Sequence, residues 1–151
     1  MDNTEALSVT DAESIQNAVL QLILKYPGYP AFFEPSFANV KWNDINTDTS
    51  IGLYALPGAV YLKRYIYGGY KAQFFFAVRY RSSPQSTPAC ISSQIMLENL
   101  AKWLESCHIQ FTDKKIKMES IVRTSQVYGP SQDENSMDCA VNLRVIFEQE
   151  E

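Results

Sequence analysis

Residues 60–81 read Val-Tyr-Leu-Lys-Arg-Tyr-Ile-Tyr-Gly-Gly-Tyr-Lys-Ala-Gln-Phe-Phe-Phe-Ala-Val-Arg-Tyr-Arg, two aromatic stretches folded over Gly68-Gly69. Aromatic and β-branched residues suit the pleated surface of a sheet, and a glycine pair between two such runs marks a hairpin. A register slip of one residue sends every side chain to the other face, so register can be argued from the faces themselves. A loop of Tyr67, Gly68 and Gly69 sets Ile66 opposite Tyr70, Leu62 opposite Phe74 and Val60 opposite Phe76, and predicts that these six side chains point into a core. A two-residue loop would place Lys63 opposite Phe74 and mix charge into that row. The other face carries Tyr61, Lys63, Tyr65, Lys71, Gln73, Phe75, Ala77 and Arg79, too apolar for a solvated surface and too charged for a core. Such a face either meets a partner or is covered by a helix or loop of the same chain.

Outward from the hairpin, the composition is that of one ordinary globular domain spanning 1–151, with 46% hydrophobic and 20% charged residues. A chain of this length buries roughly 70% of its unfolded surface and needs neither disulfide nor metal to fold. The three cysteines, Cys90, Cys107 and Cys139, are odd in number and widely spaced, which points to a reducing compartment. No apolar run reaches membrane-spanning length, and the acidic opening Met1-Asp2-Asn3-Thr4-Glu5 is unlike a secretory signal, so the expectation is a cytosolic protein with no membrane partner. A net charge of −4 without a basic cluster argues against direct DNA binding.

Residues 8–26 read as a helix capped by Thr10 with Glu13 reaching back, with a buried stripe of Ile15, Ala18, Val19, Leu22 and Ile23. Residues 27–50 form a long loop broken by Pro27, Gly28, Pro30 and Pro35, an apolar flap in which Phe32, Phe33, Phe37 and Trp42 pack down. A strand at 51–56 leads into the hairpin, and a second helix at 89–106 carries the stripe Ile91, Ile95, Leu97, Leu100, Ala101 and Leu104, with Glu98 and Lys102 paired on its wet side. Two strands close the chain, one at about 116–128 and a cleanly alternating one around 138–148, joined by an acidic turn at 129–136 that includes Asp133 and Glu134. The predicted fold is α+β: a mixed or antiparallel sheet of about five strands with two helices packed on one face, in the order helix, three strands, helix, two strands.

Chemistry is scarce. His108 beside Cys107 is the single histidine, and adjacent residues do not make a nucleophile and base, which meet in space from separate segments. Asp44, Asp48 and Glu34 lack calcium-loop spacing, and Gly68-Gly69 lies between strands where a phosphate loop would open a helix. The expectation is a protein that is not an enzyme and has no cofactor, metal or catalytic residues.

The stretch Lys63-Arg64-Tyr65-Ile66-Tyr67-Gly68-Gly69-Tyr70, with Gln73-Phe74-Phe75-Phe76 and Tyr80-Arg81 after it, resembles the central hairpin of the minor capsid, or tail-terminator-like, proteins of long-tailed bacteriophages. The order of elements is similar over most of the chain, although the family's turn more often carries an Asp-Gly-like pair where this chain has Tyr67-Gly68. The resemblance implies a virion structural protein. Such proteins form a homo-oligomeric ring, a hexamer among the sizes, that caps the tail tube, stops its polymerisation and meets the head connector. It also implies residence in the host cytoplasm during assembly and at the head–tail junction afterwards. Tyr61, Lys63, Tyr65, Phe75 and Arg79 would then be the subunit or tail-tube interface, and Asp133 and Glu134 a channel-facing turn that repels DNA phosphates in passage. Two rival readings are a small-molecule or peptide-binding module using the tyrosine-rich face, and an enzyme with a site built from residues 27–50.

Overall fold

The structure is a computed structural model that describes residues 8–12, 15–30, 33–36, 38–45, 49–82, 87–111, 114–132 and 137–150. Its axis is a long antiparallel pair, β5 (Tyr70–Ser82) against β9 (Met137–Gln149), in unbroken register from Tyr70 opposite Gln149 to Ser82 opposite Met137. Along β5, Phe74, Phe76, Val78 and Tyr80 face one way, and their partners Val145, Leu143, Val141 and Cys139 share that side. Ile51 and Leu53 of β3 (Ser50–Ala55) extend the same apolar row.

Two helices cover this face. In α1 (Ile15–Lys25) the spacing of Ala18, Val19, Leu22 and Ile23 collects them on one stripe, and in α2 (Thr87–Glu105) Leu97, Leu100, Ala101 and Leu104 do the same. All of these join the sheet residues in one core, where each large apolar side chain contributes about 1.5–3 kcal/mol. Part of the stretch between α1 and β3 packs down as well. Phe33 is buried, Tyr29 donates its hydroxyl to the Ile23 carbonyl at 2.6 Å, and Trp42 donates its indole N–H to the Gln16 carbonyl at 2.9 Å. Phe32 and Phe37 lie outside the described residues.

The expected five-stranded α+β layout is corrected to a mostly-sheet domain. The described residues form nine strands in one mixed sheet, with two helices. The additional strands are β1 (Ser8–Ala12), β2 (Val40–Trp42), β6 (His108–Phe111) and β8 (Tyr128–Gln132). β1 runs parallel to β6 and β2 parallel to β3, and β1 and β2 end the main strand order, β1-β6-β7-β9-β5-β3-β2. On either side of the central pair, β3 and β4 (Tyr61–Arg64) share one margin of β5, while β7 (Ile116–Arg123) and β8 share one margin of β9. Three- to five-residue strands carry no alternation strong enough to read, and their pairing comes from partners far along the chain.

Other boundaries move with this. Thr10 lies in β1, and the first helix begins only at Ile15, so the proposed cap is not formed there. β7 stops at Arg123, and residues 129–132 of the expected acidic turn belong to β8, with Pro130 tolerated because β8 pairs on one side only. Asp133 and Glu134 lie outside the described residues. In α2, Ile91 and Ile95 are exposed rather than buried, and Met96 turns to the core in their place.

Candidate interaction surface

The hairpin departs most from its expected geometry, and the departure creates a surface. Arg64 stands opposite Tyr70, Lys63 opposite Lys71 and Tyr61 opposite Ala72, with an irregularity between Tyr61 and Lys63. The connection is thus five residues, 65–69, closed by Tyr65 N–H to the Gly69 carbonyl at 2.8 Å and Gly68 N–H to the Tyr65 carbonyl at 3.1 Å. Gly68 has φ 113°, a conformation open to glycine and strained for other residues. Gly69 passes so close to the Gln149 carbonyl that a Cβ would sit 2.7 Å from it. These two glycines and the end of β9 decide the register, and the three-residue loop is ruled out.

As a result only two of the six expected core residues, Phe74 and Phe76, reach the interior. Phe76 is fully buried, Phe74 packs against the core and Tyr70 is half-buried, but Val60, Leu62 and Ile66 are exposed, Ile66 completely at 106%. With Tyr61 and Tyr67 also exposed, the segment 60–67 presents five large apolar side chains to solvent.

The five interface candidates separate. Tyr61 shares its side of the sheet with Ala72 and Tyr70, packing edge-to-face on the Tyr70 ring at 5.0 Å beneath the Arg64 guanidinium at 4.0 Å. Lys63 and Tyr65 come together, the ammonium 5.5 Å from the ring centre, and the Tyr65 ring stacks on Tyr67 at 5.2 Å. The Tyr65 hydroxyl donates to the Glu148 carboxylate at 3.2 Å, and desolvation with that hydrogen bond raises the phenol's pKa. Phe75 is half-buried under a loop of its own chain, since Gly58 lies against its ring where any Cβ would collide. Arg79 sits farther along the same face, over the Tyr54 ring at 5.4 Å and 3.9 Å from Asp138, whose carboxylate already accepts from Arg81 Nε and Nη2 at 2.8 and 2.9 Å.

Below the turn a row of charge crosses four strands: Lys63, Lys71, Glu148 and Lys117 stand successively opposite one another. Lys71 escapes its like-charged neighbour by bonding Glu119 at 2.7 Å, which raises its pKa, and Lys117 pairs with Glu150 at 3.3 Å. The tip is therefore held at its base by hydrogen bonds and ion pairs while Val60, Leu62 and Ile66 stay exposed.

A second apolar pair, Ile91 and Ile95, is exposed on α2. Neither group could be told from core residues by hydrophobicity; the available signal was that Lys63 and Arg64 interrupt the first strand of the hairpin and Gln94 and Glu98 accompany the isoleucines on the helix. Next to them lies an open recess of about 700 Å³, bordered by Gln94, Glu98, Arg123 and residues 124–127. Cys107 is buried and His108 exposed, so the two face apart. Among the described residues no group of three or more His, Cys, Asp or Glu side chains could hold a metal, and no helix is long and apolar enough to cross a membrane.

The chain matches no model of a known protein family, and a search of curated proteins finds no relative.

Proposed function

We propose that this protein is a ring-forming structural component of a phage tail, a terminator or head–tail joining subunit that caps the tail tube and stops its growth. The observation that carries the reading is the exposed cluster Val60, Tyr61, Leu62, Ile66 and Tyr67 on a hairpin whose base is firmly tied. Several large apolar side chains left exposed on one tied hairpin are typical of surfaces that are covered in an assembly. The resemblance of residues 63–81 to the tail-terminator-like hairpin supplies the particular assembly. A ring built by head-to-tail contacts needs two unlike patches on each subunit, and the hairpin and α2 offer them. The rival reading, a small-molecule or peptide module using the tyrosine-rich hairpin face, calls for a deep apolar pocket, whereas Tyr61 and Tyr67 there are exposed and Tyr65 and Tyr70 half-buried.

Interface tests should use Tyr67 in place of Tyr65, because a carboxylate at 65 would face Glu148 and disturb the hairpin itself. Tyr67→Asp should leave the thermal melt unchanged and, in cells producing virions, give tails of uncontrolled length or heads without joined tails, scored by electron microscopy. Normal tails from a folded Tyr67→Asp variant would remove the tail-capping reading.

A further inference from the structure

The two exposed apolar clusters sit at opposite ends of the β5–β9 pair. The hairpin is anchored where Arg64 meets Tyr70 and Tyr70 meets Gln149. The N-terminal half of α2 is anchored at the other end, where Ser82 meets Met137 and the Ser82 and Ser93 hydroxyls lie 3.2 Å apart. Twelve residue steps of strand separate Tyr70 from Ser82, roughly 40 Å, so the clusters cannot cover one another within a chain.

They are also complementary. Residues 60–70 contain Lys63 and Arg64 and no acid, while α2 contains Glu98 and Glu105 against Lys102 alone. On α2, Ile91, Gln94, Ile95 and Glu98 follow at i, i+3, i+4 and i+7 and form one stripe, and Gln94 and Glu98 are the wall of the recess. The apolar pair therefore borders a concavity, and its carboxylate is held by Lys102 only loosely, at 3.8 Å between two solvent-exposed side chains.

We propose that the hairpin of one copy docks on α2 of the next, with Ile66 and Tyr67 against Ile91 and Ile95, and Lys63 and Arg64 facing Glu98. This rests on the ring reading above and names the contact that would build the ring. The contact is heterologous: each subunit donates a hairpin at one end and accepts one at the other, and the rotation per step decides whether the chain of copies closes.

The test is sedimentation velocity of the full chain up to millimolar concentration, using Ile66→Asp as a donor-dead and Ile95→Asp as an acceptor-dead variant. Both positions are exposed, so both variants should melt like the wild type. The wild type is expected to self-associate, and each variant alone to do so at least about 30-fold more weakly, the loss of one central anchor. Mixed together, the two variants retain one good donor and one good acceptor between them and should form a 1:1 dimer that grows no further. Arg64→Glu should weaken association and Glu98→Arg should restore it when combined in the same chain. A wild type that stays monomeric throughout overturns the contact. So does an Ile95→Asp variant that assembles as well as the wild type, or a mixture that yields no dimer. Tail length in virions is a separate readout: normal tails from an assembly-dead Ile66→Asp chain would remove the capping role and leave the contact standing.

Discussion

Cys107 donates its thiol to the Trp103 carbonyl at 3.3 Å and is buried at the end of α2, and burial pushes its pKa up to about 12. Burial likewise pushes the Tyr80 phenol up to about 12. In both groups the folded chain holds the proton more tightly than the unfolded chain, whose values are near 9 and 10. Their contribution is complete below pH 9 and declines as the pH rises toward 12, so urea midpoints should be level from pH 7 to 9 and fall above it. Native Cys107 and Cys139 should also resist iodoacetamide at pH 8 and become alkylated only in denaturant, a difference mass spectrometry reads directly. Asp138 makes a different kind of demand. At 2% exposure, and bonded by Arg81 through Nε and Nη2, it is a charge whose partner would be stranded by its loss. Asp138→Ala should lower unfolding free energy by about 3 kcal/mol, measured by urea titration. Neither role could be read from the residue types: one thiol and one carboxylate among many became special through where the sheet buried them.

At the scale of elements, the long periodic segments were legible and the short ones were not. The stripes of α1 and the C-terminal half of α2, and the alternation in β9, follow from period alone, because eleven to nineteen residues repeat the pattern often enough to fix a face. Ile91 and Ile95 show the limit: hydrophobicity marks them as core, yet the sheet beneath α2 does not reach that side of the helix. The hairpin divides in the same way. Phe76→Ala should cost about 3–5 kcal/mol because its ring is wholly enclosed, while Ile66→Ser should shift stability by no more than about 0.5 kcal/mol in the same denaturant assay. Gly68→Ala, forced into a conformation with φ 113°, should destabilise the tip by about 1–2 kcal/mol, visible as faster hydrogen exchange in residues 61–72.

For the molecule as a whole, order of protection should follow position in the sheet. Amides of β5 and β9, paired along their full length at the centre, should exchange slowest, and those of β1, β2 and β4 fastest, a ranking that native-state hydrogen exchange would give. The amino-acid sequence by itself determined that a hairpin stands at 60–81 and that two amphipathic helices cover an apolar sheet face. Those properties are local: they depend on side-chain period and turn glycines. Only the tertiary structure decided that nine strands join among the described residues, that the turn spans 65–69, and that Val60, Leu62, Ile66, Ile91 and Ile95 stay outside. A strand such as β1 acquires its partner β6 across about a hundred residues of chain, and an apolar side chain is core or surface according to what the rest of the fold brings over it.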